Sequence, residues 1–249
     1  MLSRKRFALS TLAALAGFGL VLAGPIAPAR AAVTALKVRV GGVRPGGIVA
    51  KRLAFCAFNR KGEVGLGLNR SPAIWWSKGP AGTKSYAIIV HDSDVPSVAT
   101  DVNKKGTTLP ASMPRVDFYH WVLVDIPTHI RHIPYAHDSK GVTPHGKKPG
   151  PTKYGVRGIN SYTNWFAADP KMKGEYGGYD GPCPPWNDAI PHHYHFAVYA
   201  LNVAKLDVSG NFTGPDALKA MQGHILAEGS VVGLYSLNKA VIKSMKAKK

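Results

Sequence analysis

The sequence predicts a mainly β fold in which two antiparallel sheets pack as a sandwich with peripheral helices. The 249 residues include 27 glycines and 19 prolines, a share that favours short elements joined by many turns. Several apolar runs have the length of a strand, and few segments show helical periodicity. With 45% hydrophobic and 18% charged residues, the chain can build an apolar core, which excludes a wholly disordered protein.

The strand predictions rest on short runs of β-branched and aromatic residues bounded by Gly, Pro or Asp. Two apolar runs, Ile88–Val90 and Val122–Val124, contain no polar residue. Such runs are typical of strands covered on both faces, as in a packed sandwich. The predicted strands are Leu36–Val40, Tyr86–Val90, Trp121–Ile126 and His195–Val203.

Two helices are predicted near the C-terminus. The first runs from Asp216 to about Glu228, because Pro215 introduces it, Gly229 closes it, and apolar residues recur at helical spacing. A second, weaker helix is predicted in the tail from Leu237. The apolar positions of the first helix are Leu218, Met221 and Ile225.

The N-terminus has the pattern of a secretory signal peptide over residues 1–31. Residues 4–6 are basic, Leu9 to Ala23 is an apolar stretch, and Ala29–Ala31 is a small-x-small cleavage site. A membrane anchor is the alternative, but the apolar stretch is short for a spanning helix and runs into Pro25. We therefore expect cleavage after Ala31 and a periplasmic or secreted protein. No change of composition divides residues 32–249, which predicts a single domain with a basic C-terminal tail.

The chain is strongly basic, with a formal net charge of +18. Four of the 32 Lys and Arg residues and none of the 14 acidic ones lie in residues 1–31, so cleavage leaves +14. The excess is concentrated in Lys140–Arg157 and Lys239–Lys249, and both segments read as solvated surface. Neither offers the interleaved aromatics or the reading helix of a nucleic-acid binder, so no nucleic-acid partner is expected. Attraction to an anionic membrane or envelope surface and simple solubility are the remaining uses of this charge.

The chain has two cysteines, Cys56 and Cys183, both in the exported part. In an oxidising compartment they either pair or remain free, and spacing alone does not decide between these states. Their number is too small for a structural zinc site, so no metal is expected.

Three segments place His, Asp or Pro at the ends of predicted strands. The sequence YAIIVHDSDVP ends a buried strand, HWV begins another with His120, and GPCPPWNDAIPHHYH leads into the last long strand. Residues at the ends of core strands meet at one rim, where binding sites often lie. Taken singly, each segment also suits a turn that caps its own backbone.

Together, the ordered blocks SPAIWWSKGPAGTKSYAIIVHDSDVP, FYHWVLVDIP and GYDGPCPPWNDAIPHHYHFAVYAL resemble the phosphatidylethanolamine-binding protein family, in its bacterial Raf kinase inhibitor-like branch. The blocks span Ser71 to Leu201. The resemblance implies a PEBP-like domain of two antiparallel sheets with flanking helices. It also implies a small cavity that accepts phosphate, phosphorylated headgroups or other anions.

The resemblance assigns the cavity residue by residue. The implied ligand-binding residues are Asp92, His120, Gly181, Pro182, His192 and Tyr194. The implied supporting residues are Asp94 and Pro96, which shape the turn, Pro184 and Pro185, which wall the pocket, and Tyr235, a candidate lid.

The chemistry of these residue types suits an anion. Two imidazoles beside one carboxylate can hold protons and donate to a phosphate oxygen, while the Tyr194 hydroxyl and loop N–H groups add neutral donors. Asp92 would raise the pKa of a neighbouring histidine and fix its tautomer.

The leading hypothesis is an exported, non-enzymatic binding protein for an anionic small molecule or phosphorylated headgroup, without cofactor or metal. In this hypothesis the rim of the cavity is also a candidate contact surface for a protein partner in the cell envelope. One alternative is a protein-interaction module of the protease- or kinase-inhibitor kind. The other is a hydrolase that uses His120, His192 and Asp92 as acid and base. Against the hydrolase, the sequence has neither a nucleophile-elbow serine nor an HExxH motif.

Overall fold

The structure is a computed structural model that describes residues 34–247. The predicted signal peptide, residues 1–31, lies outside the described residues. Within residues 34–247, no helix has both the length and the apolar composition needed to cross a membrane.

Strands dominate the described part of the chain. The strands are β1 (Thr34–Ala35), β2 (Val38–Val40), β3 (Cys56–Phe58), β4 (Val64–Leu66), β5 (Ile74–Trp76), β6 (Ser85–Pro96), β7 (Arg115–Pro127), β8 (His132–Ile133), β9 (Gly150–Pro151), β10 (Val156–Arg157), β11 (His192–Leu201) and β12 (Ile225–Tyr235). The helices are α1 (Tyr162–Trp165), α2 (Gly214–Ala220) and α3 (Lys239–Ala247).

A seven-stranded sheet in the order β1-β12-β11-β6-β7-β10-β9 forms the centre of the fold. Its pairings are antiparallel, apart from the parallel pair of β1 with β12 at one edge. A second sheet has the order β2-β5-β8, and β3 with β4 forms a separate hairpin. The prediction of a mainly β fold with antiparallel sheets and peripheral helices is confirmed.

Apolar cores cover both faces of the large sheet. On one face, Ile88 and Leu123 pack with Ile74 and Trp76 of the small sheet. On the other face, the large sheet packs against α2 and the segment before it. Side chains alternate along a strand, so an uninterrupted apolar run supplies both cores at once. The predicted double coverage of Ile88–Val90 and Val122–Val124 is therefore confirmed.

The helix predicted over Asp216–Glu228 is wrong in its second half. Helix α2 ends at Ala220, and the chain turns at Gly223, whose φ of +78° lies in the left-handed region that ends helices. Residues from Ile225 onward then form β12, a long strand inside the large sheet. The C-terminal helix is confirmed, and it begins at Lys239.

Candidate functional site

A cavity of about 260 Å³ opens beside the ends of β6, β7 and β11. Aromatic and apolar side chains form most of its wall, and a few polar side chains lie among them. The polar members include Asp92, Asn103, His120 and Tyr194. The others that matter below are Phe55, Cys56, Leu66, Pro96, Phe118, Tyr162, Trp165, Phe166, Cys183, Pro184 and Pro185.

Strand register brings three of these residues into one row. Phe118 on β7 pairs with Asp92 on β6, and Asp92 pairs with Tyr194 on β11. Directly opposed residues on neighbouring strands present their side chains on the same face. The cavity wall is thus set by hydrogen bonding between strands that the buried core holds rigid.

A bulge aims His120 into the same cavity. Val90 pairs with Trp121 and His91 pairs with Tyr119, so His120 is an extra residue with no opposite position on β6. Bulges are common beside functional sites because they redirect a side chain.

Asp92 and His192 form a buried ion pair behind this wall. Nδ1 of His192 lies 2.7 Å from Oδ2 of Asp92, and Nε2 lies 3.1 Å from Oδ2 of Asp188. Burial by itself would lower the pKa of His192, but the two carboxylates outweigh it and raise the pKa to about 9. Both ring nitrogens therefore carry protons and donate to carboxylates. Arg115 closes the chain of charges with two hydrogen bonds to Asp188.

His120 is held in the opposite protonation state. Its Nδ1 lies 2.7 Å from the backbone oxygen of Asp180, which can only accept, so Nδ1 carries the proton. Burial outweighs the attraction of Asp92 and lowers the pKa of His120 to about 4. The neutral ring is left with a lone pair on Nε2, which is buried and has no hydrogen-bond partner among residues 34–247.

The Tyr194 hydroxyl is the second buried polar group of the cavity that lacks a partner in the described chain. Burial and then the nearby Asp92 carboxylate raise the pKa of Tyr194 well above its ordinary value, so the group stays protonated and can donate, either to a ligand or to that carboxylate. The rings of His120 and Tyr194 are 5.3 Å apart. We call Nε2 of His120 and the Tyr194 oxygen the two cavity atoms.

A disulfide between Cys56 and Cys183 borders the cavity, with the two Cα atoms 4.7 Å apart. It settles in favour of pairing the question that spacing had left open. The bond ties β3 to the GPCPP loop across a separation of 127 residues. Cross-links of this length stabilise a fold chiefly by restricting the unfolded chain.

Six of the eleven predicted site residues line the cavity. Asp92, His120 and Tyr194 are among its polar members, and Pro96, Pro184 and Pro185 are part of its wall. Pro184 and Pro185 of the GPCPP loop thus lie in the cavity wall, where the resemblance places them.

The other predicted ligand-binding residues lie behind the wall. His192 is fully buried, and its two nitrogens are occupied by Asp92 and Asp188, so the expectation of two imidazoles donating to one anion is wrong. The Gly181 N–H donates to Asn69, and Pro182 has no N–H to offer. The loop N–H groups expected at the anion are thus already occupied or absent at these two residues.

Asp94 and Tyr235 also lie outside the cavity wall. Asp94 accepts hydrogen bonds from the backbone N–H and the ring of His193. Tyr235 is no lid: it sits within β12 opposite His192, and its hydroxyl donates to the backbone oxygen of Cys56 at 3.0 Å.

Sequence reasoning missed the aromatic wall. Phe55 and Tyr162 stack with ring centroids 4.4 Å apart, and Phe118 meets Tyr162 edge-on at 5.0 Å. Tyr162 and Phe166 come from the segment NSYTNWF, whose three aromatics within five residues were the available signal. Asp180, which orients His120, was also missed although it directly precedes the GPCPP loop.

Within residues 34–247, no group of three or more His, Cys, Asp or Glu side chains is arranged to hold a metal ion.

Comparisons with known proteins place this chain in a family. The sequence model of the phosphatidylethanolamine-binding protein family matches residues 43–236. The chain belongs to that family, as the sequence blocks indicated.

Relatives occur in bacteria and archaea. The chain is 29% identical to the UPF0098 protein YbcL of Escherichia coli K12, over 69% of this chain and 74% of the relative. It is 31% identical to a UPF0098 protein of Methanothermobacter thermautotrophicus, over 72% of this chain and 94% of the relative. The crystal structure of E. coli YbcL, described as a new member of the mammalian PEBP family, superposes with a TM-score of 0.56 at 25% identity, covering 81% of this chain and 98% of that one.

Proposed function

We propose that this protein binds, without transforming, a small molecule that carries a phosphate or another oxyacid group. The observation that supports it most is the pair of cavity atoms: one buried donor and one buried acceptor facing the same space. Buried polar groups are nearly always hydrogen-bonded, so two unsatisfied ones in a cavity mark a place for a polar ligand. A protonated oxyacid complements both, because one oxygen accepts from Tyr194 while its O–H donates to Nε2 of His120.

The charge of the wall determines which form of the ligand is bound. Asp92 is buried and ionised, since its pKa is lowered by His192 in spite of burial, and His120 is neutral near pH 7. A fully ionised phosphate would face the Asp92 carboxylate and a lone pair, which is unfavourable. The proposal therefore includes one proton, carried in either by the ligand or by His120.

The cavity size favours a headgroup or a free small molecule over a whole lipid. Sites for drug-sized ligands are roughly 300–1,000 Å³, and this cavity has about 260 Å³. The aromatic wall leaves room for a short apolar portion next to the acid group. A phosphorylated headgroup and a soluble phosphorylated metabolite share this chemistry.

The same wall supports a binding role over catalysis. The described residues that line the cavity include no Ser, Thr or Lys, and its two cysteines are bonded to each other. His192, the histidine with a raised pKa, is fixed between two carboxylates behind the wall and is not free to shuttle a proton to a ligand. The disulfide also supports the proposal of an oxidising compartment, periplasmic or extracellular.

The test is a pH series of titrations with inorganic phosphate and phosphorylethanolamine. Glycerol, which is uncharged and carries no phosphate, is the control. Because one proton accompanies the ligand, we expect the affinity for phosphorylethanolamine to fall about tenfold per pH unit above its second pKa of about 6. In NMR spectra, the ring of His120 should shift on binding while the ring of His192 should not. Unchanged His120 resonances at saturating phosphate would refute the site, and release of inorganic phosphate from phosphorylethanolamine would refute the non-enzymatic role.

A further inference from the structure

One face of the β3–β4 hairpin exposes a group of apolar side chains to solvent. Val64, Leu66 and Leu68 alternate along the chain and are 37%, 66% and 55% exposed. Alternate residues of an extended chain point to the same side, so the three side chains form one stripe. Exposed apolar clusters on a soluble domain usually mark an interaction surface. We call this stripe and the cations around it the hairpin face.

Cations border the stripe. The turn of the hairpin carries Arg60 and Lys61, and Lys51 and Arg52 line a shallow groove together with Leu66 and Leu68. Arg70 follows the stripe and lies beside Lys140 in an isolated bridge, which brings in the start of the basic segment. All six cations are exposed, and none forms an ion pair with a carboxylate in the part of the chain that the structure describes. The hairpin itself has a single acid, Glu63.

We propose that the hairpin face docks on an anionic lipid surface. Leucines flanked by Lys and Arg suit the boundary between headgroups and acyl chains, where apolar side chains insert while cations meet lipid phosphates. An aromatic at the same edge fits this environment: Tyr135 is 38% exposed, and the guanidinium of Arg52 lies 5.7 Å from its ring centre. A protein partner would require a complementary acidic surface, whereas anionic lipid offers negative charge at any orientation about the membrane normal.

The position of the face relates it to the cavity. Leu66 lines both the cavity and the groove of the hairpin face, and the disulfide joins β3 to Cys183, which also lines the cavity. A membrane bound by this face therefore lies at the cavity mouth. Trp165, another exposed wall residue, is at the same mouth. This inference goes beyond the proposed function and does not depend on which molecule fills the cavity.

The test is sedimentation of the full chain with vesicles of phosphatidylcholine alone or mixed with phosphatidylglycerol. Binding should require phosphatidylglycerol and weaken at high salt. Each cation near such a surface contributes roughly a fivefold change in binding, so we expect Arg60→Glu with Lys61→Glu to weaken binding at least about tenfold. Leu66→Ser with Leu68→Ser should weaken it similarly, because two inserted apolar side chains are lost.

The matched control reverses two lysines on the opposite side of the molecule. Lys205 and Lys219 are exposed near α2, which covers the other face of the large sheet. Lys205→Glu with Lys219→Glu changes the net charge by the same amount and should leave vesicle binding within about twofold of the unaltered chain. Unchanged thermal unfolding of both leucine and charge variants shows that the loss is not unfolding.

Three results would overturn the proposal. The first is no binding to phosphatidylglycerol vesicles, and the second is equal loss in the hairpin and α2 variants, which would indicate a diffuse charge effect. The third is a dimer of the chain that dissociates in the variant with Leu66→Ser and Leu68→Ser and binds no vesicles, since β4 is also an edge strand open to pairing with a second copy. Failure of this proposal is distinguishable from failure of the proposed function, because Tyr194→Phe should weaken phosphate binding about tenfold and leave vesicle binding unchanged.

Discussion

The imidazole of His192 donates from Nδ1 to Oδ2 of Asp92 across 2.7 Å, and neither side chain is exposed to solvent. Of these two residues, Asp92 lines the cavity and His192 does not. Asp92 presents its carboxylate to the cavity while His192 neutralises that charge from behind. The same ion pair makes the stability of the protein depend on pH.

The first prediction concerns stability at alkaline pH. The pKa of His192 rises from 6.5 in the unfolded chain to about 9 in the fold, so the stabilisation is complete below pH 6.5 and is lost as pH rises through 9. Its size is on the order of 3 kcal/mol. Urea unfolding of the unaltered protein should show this loss between neutral and alkaline pH. His192→Gln should be less stable at neutral pH and lose most of this dependence, whereas His129→Gln, at an exposed site, should behave like the unaltered protein.

The second prediction concerns stability on acidification. Burial lowers the pKa of His120 from 6.5 to about 4, so the unfolded chain binds the extra proton first and the fold loses stability as pH falls from 6.5 towards 4. The loss is on the order of 3 kcal/mol. His120→Asn keeps a donor for the Asp180 carbonyl but removes the titrating ring, and it should flatten this part of the profile. An NMR titration in which His120 protonates near pH 6.5 would contradict the buried neutral state.

The third prediction uses two tyrosine variants to separate an effect on ligand affinity from an effect on stability. Tyr194→Phe removes a hydroxyl that has no partner within residues 34–247, so unfolding free energy should stay the same or rise by up to about 1 kcal/mol. Phosphorylethanolamine affinity should fall about tenfold, because the donor to the ligand is lost. Calorimetric titration and urea unfolding of one preparation measure both effects.

Tyr235→Phe is the matched control. Its hydroxyl donates to the Cys56 carbonyl outside the cavity wall, so its removal should lower stability by about 1 kcal/mol and leave affinity unchanged. The two variants should therefore show opposite patterns. Equal affinities in the two variants would mean that Tyr194 does not contact the ligand.

The sequence correctly predicted the strands whose apolar runs indicate burial. It failed at β12, where a glycine suggested the end of a helix. The strands β6, β7 and β11 contain apolar runs that identify them. In β12, Gly229 has the sequence pattern of a residue that ends a helix, but it lies within the strand. A side chain there would meet the backbone oxygen of Leu36 at 2.1 Å, so this glycine lets the strand approach its neighbour closely. Close approach is a property of the folded chain, and no local pattern reports it.

The prediction of the site has the same limit. Motifs identified Asp92, His120 and Tyr194 because these residues follow or begin recognisable strands. They did not distinguish His120 from His192, since the difference depends on which groups reach each ring nitrogen: Asp180 in one case and two carboxylates in the other. Protonation states are set by such long-range partners.

The last prediction concerns the basic segment Lys140–Arg157, which the sequence alone presented as solvated surface. Two of its cations point inward, since Arg157 pairs with the buried Asp138 and Lys147 pairs with the fully buried Asp180. Nζ of Lys147 lies 2.7 Å and 2.9 Å from the two carboxylate oxygens of Asp180. Burial raises the pKa of Asp180 even with this lysine beside it. Without Lys147, the carboxylate would be a buried charge with only amide donors.

Lys147→Met should therefore destabilise the protein by about 3–5 kcal/mol, the cost of leaving a buried charge without its partner. Lys148→Met is the control, because the adjacent lysine is exposed and its loss should change stability by less than about 0.5 kcal/mol. Adding Asp180→Asn to Lys147→Met should recover part of the loss, since the amide removes the unpaired charge. The Asp180 carbonyl also holds the ring of His120, so phosphate affinity should fall with Lys147→Met and stay unchanged with Lys148→Met. Equal urea midpoints for the two lysine variants would show that the buried pair does not stabilise the fold, and equal phosphate affinities would show that it does not support the cavity.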